Sequence, residues 1–243
     1  MEKLVYVLWG EGSPEAGEHL RDQLLGEAVA RVSAVGARGI TVNVHDAAAA
    51  EAPAPVPTPE GEDPHVAEVS LWVDSYDRRG AIDEAVAASG LAWAGYLVIE
   101  SLLEDYGTTA HGGPRDWVDG SRSPGVLTVS LIHRPEGLDY ATWIARWHGT
   151  QSPLSGKLQP RCRYVRNEVV RALTPDAPEV HGIVEEAWPS ARHVADPMLF
   201  FNAGGDKEVL SANVTAMLDS VNACLDLSRL RNVTMSEYLV SPF

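Results

Sequence analysis

Leu4-Val-Tyr-Val-Leu-Trp9, closed by Gly10-Glu-Gly12, has a counterpart further along the chain in Leu127-Thr-Val-Ser-Leu-Ile-His133, closed by Arg134-Pro-Glu-Gly137. Each is a short run of aliphatic and β-branched residues ending in turn formers, the signature of a strand. Superposing Leu4, Tyr6 and Leu8 on Leu127, Val129 and Leu131 keeps the apolar alternation in phase. After each run the period changes, and apolar residues at mixed three- and four-residue spacing predict helices over 16–35 and 140–158. Strands are expected next at 40–45 and 163–173, then at 66–73 and 182–188, each pair separated by a Pro-containing loop. Helices follow at 78–89 and 207–226, with Asp77 and Asp206 placed to cap them, and strands at 96–102 and 233–240 close the halves.

Each half thus reads βαββαβ, the split βαβ or ferredoxin-like unit, an antiparallel sheet with helices on one face. The other face needs water or a second sheet, and a duplicated chain carries that second sheet with it. The expected fold class is α+β, with two tandem ferredoxin-like modules whose sheets pack face to face. The boundary falls in a Gly-, Ser-, Pro- and Asp-rich stretch, giving modules 1–107 and 124–243 joined by a linker at 108–123. Residues 47–64, with Pro53, Pro55, Pro57 and Pro59, read as a flexible insertion leaning to polyproline II, without secondary structure or assigned function.

The chain has 243 residues, of which 45% are hydrophobic and 22% charged, proportions that disfavour disorder, collagen and a coiled-coil rod. Its 34 acids against 19 bases leave a net charge of −15, which argues against nucleic acid as a partner. Cys162 and Cys224 make no disulfide framework and no zinc spacing, and a reducing, cytoplasmic setting is expected. No run approaches a membrane span or signal peptide, so no membrane partner is expected. HExxH, GxSxG, Walker and GxGxxG motifs are missing, and neither metal nor cofactor is assigned. His181 and Glu185 share a strand face but lie about 13 Å apart along it, too far to ligate one ion. His193 and Asp196 read better as capping or surface contacts.

Alternation sends Leu127, Val129 and Leu131 to one face and Thr128, Ser130 and Ile132 to the other, and the oilier set is expected against the helices. The same rule turns Ala67, Val69, Leu71 and Val73 to the helices, and Glu68, Ser70 and Trp72 toward the space between the sheets, with Glu185 and Trp9. A mixed interior of this kind suits a small, flat, hydrophobic ligand. Desolvation would raise the pKa of a buried Glu185 and fit it for acid/base work. The competing reading pairs it with Arg163 or Arg166 as an ordinary sheet carboxylate. His148 and Gln151 stand one helical turn apart and are candidates to face one cavity, His148 as a proton carrier and Gln151 as a donor; the competing reading makes His148 structural. Arg166 and Asn167 point to opposite faces of their strand.

Trp143-Ile-Ala-Arg-Trp147-His148-Gly-Thr-Gln151-Ser-Pro153-Leu154 resembles the first-helix motif of EthD-type proteins of the dimeric α/β-barrel superfamily. Gln151 stands where that motif has histidine, and His148 is out of register with it. Tyr164-Val165-Arg166-Asn167 and Gly182-Ile183-Val184-Glu185 are similar to the family's second and third strands, and Glu100 and Glu237 end the last strand of each half. The resemblance covers nearly all of the second half. It implies a dimeric α/β-barrel and a small-molecule enzyme acting on an aromatic or polyketide-like metabolite, an isomerase or tailoring enzyme that moves a proton. Taken together with the strand-face and helix-face readings above, Glu185 and His148 would be catalytic; Trp147, Gln151, Tyr164, Arg166, Asn167, Glu68, Trp9, Trp72 and Ser130 would bind the ligand. Glutamine cannot shuttle protons at neutral pH, which favours a rival reading: a non-catalytic protein that holds a hydrophobic metabolite or supports an oxidative pathway. Closure within one chain and a homodimer are both open.

Overall fold

In the computed structural model, which describes residues 1–241, eight strands close into one antiparallel barrel. The first half contributes β1 (Glu2–Trp9), β2 (Arg38–Val44), β3 (His65–Val73) and β4 (Ala92–Glu104), paired in the order β4-β1-β3-β2. The second contributes β5 (Val126–Ile132), β6 (Arg163–Ala172), β7 (Gly182–Trp188) and β8 (Arg231–Leu239), paired β8-β5-β7-β6. One pairing order therefore occurs twice. The sheets face each other across the lumen and also join edge to edge, β2 to β8 with Asn43 opposite Glu237, and β4 to β6 with Glu100 opposite Asn167. Closure pairs the backbone groups that four edge strands would otherwise leave open. The architecture is consistent with a dimeric α/β-barrel closed within one chain.

Helices lie outside the barrel: α1 (Pro14–Gln23), α2 (Val29–Ala34) and α3 (Gly80–Ala87) on the first half, and α4 (Tyr140–Arg146), α5 (Ser152–Leu158) and α8 (Lys207–Cys224) on the second. Two short helices, α6 (Ala191–Ala195) and α7 (Pro197–Phe200), precede α8. The helices expected over 16–35 and 140–158 are each broken by a π-helical turn, at Leu24–Ala28 and Trp147–Gln151. Asp206 caps α8 through the amides of Glu208 and Val209. Asp77 does not cap α3. The Glu2 carboxylate accepts from the Tyr76 amide at 2.7 Å and fixes a tight turn over Tyr76–Arg78, so α3 begins only at Gly80. No helix among the described residues is long and apolar enough to cross a membrane.

In the first half Leu4, Tyr6, Leu8, Val69 and Leu71 pack beneath Leu20, Leu24, Ile82 and Val86, as alternation requires. On β5 the expected faces are reversed. Leu127, Val129 and Leu131 enter the lumen with Val5, Val7, Val233 and Met235, while Ser130 and Ile132 turn to the helices with Thr128. The repeat is therefore one residue out of the phase expected from apolar alternation, and a one-residue slip exchanges every side chain. Its cause is tertiary: in this half the lumen, rather than the helix layer, holds the continuous apolar body. Entry to β5 depends on Gly125, whose φ is +81° and where a Cβ would lie 2.0 Å from the Trp188 carbonyl oxygen.

Candidate functional site

The layer between sheet and helices differs between the halves. In the first it is one continuous core. In the second it is split into a group around Trp143, Trp147 and Tyr164 and another around Trp188, Val126 and Ala52. Between them lies a cavity of about 180 Å³. Its floor is the outward face of the sheet, where Thr128, Ser130 and Asn232 carry the polar groups; Trp147, Gln151 and α8 form the roof.

Trp147 can lie close to the sheet because Gly182 is beneath it: a Cβ there would come within 2.7 Å of the indole. Trp143 stacks behind Trp147, with ring centroids 4.9 Å apart. On the opposite wall Trp188 stacks on Phe200 at 4.6 Å and donates its indole N–H to Thr128 Oγ1 at 3.0 Å. The walls are thus aromatic and rigid.

The polar groups are unevenly satisfied. Asn232 Nδ2 donates to Ser130 Oγ at 2.6 Å, and Gln151 Nε2 reaches Met217 Sδ at 3.2 Å. The oxygens of both amides are buried without a hydrogen-bond partner, one on the floor and one in the roof. Buried polar atoms rarely stay unpaired, and both amides belong to residues that line the cavity. Glu186 is the carboxylate of the cavity wall. Arg161, 1% exposed, holds Glu186 Oε1 at 2.9 Å, Ser155 Oγ at 2.8 Å and both oxygens of Glu104 at 3.1 Å, with its guanidinium 3.9 Å above the Tyr164 ring. Burial, reinforced by the Glu186 charge, raises the Tyr164 phenol, which stays protonated and meets Ser152 Oγ at 3.2 Å.

The residues expected in one inter-sheet space occupy two compartments. Trp147, Gln151, Tyr164 and Ser130 line the cavity. His148 and Arg166 flank Trp147 and are not among the wall residues; burial, with Arg166 beside it, pulls the His148 imidazole down to about 4. Arg166 donates to Ser152 Oγ at 2.9 Å, so the ion-pair partner of Glu185 is Arg163 and not Arg166.

Glu185, Glu68 and Asn167 belong to the lumen, with Trp72 and Trp9 toward its opposite ends. Glu185 accepts from Asn167 at 2.8 Å and Arg163 at 3.2 Å, with Lys3 Nζ 3.6 Å away. Burial alone would raise its carboxyl, but Lys3, Arg163 and Asn167 outweigh burial and hold it below the usual carboxylate range. The expected raised pKa falls instead on Glu68. Burial, then the Glu185 charge, pushes Glu68 well above that range against the pull of Lys3; Asn43 lies opposite it across the ladder, yet neither Glu68 oxygen makes a hydrogen bond of normal geometry. Among the described residues no three His, Cys, Asp or Glu side chains gather as a metal site.

Sequence reasoning does not single out Thr128, Glu186, Trp188, Asn232 or Phe200. The repeated small polar residues at Thr128 and Ser130, and again at Asn232, Thr234 and Ser236, mark the polar face of β5 and β8, but alternation alone does not say which side the helices cover.

No protein-family model matches this chain, and no curated protein matches it in sequence. Solved structures do resemble it. An anthrone oxidase-like protein aligns over 97% of this chain and 91% of its own, with 14% identity and a TM-score of 0.52. A mutant form of chlorite dismutase from Candidatus Nitrospira defluvii aligns over 97% and 91% with 10% identity and a TM-score of 0.46. A dye-decolorizing peroxidase from Bacteroides thetaiotaomicron aligns over 98% and 93% with 10% identity and a TM-score of 0.43. The first likeness establishes a shared fold.

Proposed function

We propose that this chain is a small-molecule enzyme of the EthD-like, dimeric α/β-barrel type. It is built from tandem ferredoxin-like modules at 1–107 and 124–243, and its substrate is a hydroxylated aromatic bound in the cavity of the second module. The observation that carries this reading is the cavity itself, walled by Trp147, Trp188 and Phe200 and carrying the amide side chains of Gln151 and Asn232 in its lining. Aromatic walls with a few polar side chains suit a flat apolar body bearing hydroxyl groups. Since a cavity of about 150 Å³ accommodates benzene, the volume here matches one or two fused rings. Glu186 stands in the wall as proton acceptor, and Arg161 fixes its direction. A ring hydroxyl is the enol form of a ring ketone, so one positioned carboxylate can take the O–H proton and deliver it to the neighbouring ring carbon, ending the step deprotonated as it began.

The test is carbon-bound hydrogen exchange of 1,3-dihydroxynaphthalene in D₂O, followed by NMR. The protein accelerates exchange over buffer; Glu186→Gln abolishes the acceleration while binding persists, and Gln151→Leu weakens binding about tenfold, the cost of one lost hydrogen bond. Binding without acceleration in the unmodified protein would replace the enzyme with a holder of aromatic metabolites. The residues His148 and Gln151 favour that second reading, since neither supplies a titrating imidazole to the cavity wall.

A further inference from the structure

The cavity belongs to the second half of the chain except at one place: Pro55 and Val56, from the Pro-rich insertion of the first half, complete its lining. This insertion is pinned at both ends. At its start, buried Asp46 accepts from the Ala49 amide at 3.0 Å, Ser236 Oγ at 2.7 Å and the Tyr238 hydroxyl at 2.8 Å. Ala52 then packs against Val126 and Trp188, and its carbonyl accepts from Thr234 Oγ1 at 3.1 Å. At the far end Glu62 forms a two-pronged ion pair with Arg231, at 2.7 and 2.8 Å. Between these anchors the chain runs as a strap in which Pro53, Pro55, Pro57 and Pro59 are exposed while Ala54, Val56 and Thr58 are half-buried. Proline fixes φ and removes the amide donor, so the strap is stiff and its inner face largely apolar.

We propose that this strap sets the size of ligand the cavity accepts, with Val56 as the specificity-determining residue. The inference rests on the reading of the cavity as a ligand site. The two halves are then unequal by design: the second holds the ligand and the first supplies a rigid stop. A stiff apolar stop discriminates by excluded volume, because an oversized ring must displace a segment anchored at Asp46, Ala52 and Glu62. One or two carbons at such a wall change selectivity by about ten- to a hundredfold. The ligand class is a hydroxylated aromatic limited to two fused rings.

Calorimetric titration of the full-length protein with phenol, 1-naphthol and 9-phenanthrol tests this, since the three differ in ring number and share the hydroxyl. The unmodified protein is expected to bind 1-naphthol at least tenfold more tightly than 9-phenanthrol. Val56→Ala raises the affinity for 9-phenanthrol relative to that for 1-naphthol at least tenfold; Val56→Phe lowers the affinity for 1-naphthol relative to that for phenol by at least as much. Unchanged affinity ratios in both variants, with binding still sensitive to Gln151→Leu, overturn the role of the strap and leave the cavity standing. Binding indifferent to both Val56 and Gln151, or no binding of any of the three compounds, overturns the strap and the cavity together.

Discussion

At the level of single residues, the lumen contrasts two glutamates on corresponding strands. Glu185 has Lys3, Arg163 and Asn167 around it, whereas Glu68, fully buried, has no partner of normal geometry. Burial and the Glu185 charge therefore favour the protonated form of Glu68, whereas Lys3, Arg163 and Asn167 favour the ionised form of Glu185. Because the folded-state pKa of Glu68 is raised above its unfolded value, the folded protein binds the extra proton between the two values. Stability from this group is full below the ordinary carboxylate range and is lost as pH rises through the raised folded value, at up to about 1.4 kcal/mol per pH unit. Glu68→Gln keeps the neutral shape and removes this dependence. Urea unfolding of both proteins across pH 5 to 9 should show the variant gaining on the parent as pH rises; parallel curves would mean that Glu68 is ionised in the fold. Glu68 and Glu185 share a face by simple alternation, which sequence makes visible, but which of them keeps a partner depends on Lys3 and Arg163 from other strands.

Among the elements, the strap and the turn into β5 carry the site. Removing the Asp46 carboxylate leaves the hydroxyls of Ser236 and Tyr238 without their acceptor in the interior. Asp46→Ala should cost about 3 kcal/mol of unfolding free energy and weaken 1-naphthol binding by freeing the strap, measurable by urea titration and calorimetry. Intact binding in a destabilised variant would separate the anchor from the site. Gly125→Ala should destabilise by well over 1 kcal/mol, because positive φ and a Cβ contact of 2.0 Å with the Trp188 carbonyl oppose it together; a melting temperature within a degree of the parent would contradict this geometry. The prolines announce stiffness in the sequence. What they cover cannot be read there, since Val56 comes to line one cavity with Trp147 and Gln151 only after the halves close on each other.

For the molecule as a whole, closure makes the halves interdependent. Each alone would expose two strand edges and the apolar lumen face shared by Val5, Val7, Val129 and Met235. Urea unfolding monitored by far-ultraviolet circular dichroism and by tryptophan fluorescence should therefore give one coincident transition; two separated transitions would mean that the halves are autonomous. The order of elements, and with it the repeated pattern of strands and helices, is legible in the amino-acid sequence because hydrophobic period and turn residues are local properties of the chain. So is the placing of Glu68 and Glu185 on one side and of Arg166 and Asn167 on opposite sides, since alternation follows from strand geometry alone. Folding had to settle which face of β5 meets the helices, which glutamate stands in the cavity wall, and that a loop of one half completes a cavity in the other. Those outcomes depend on the relative volumes of lumen and helix layer and on pairing between strands far apart in sequence, and no local pattern encodes either.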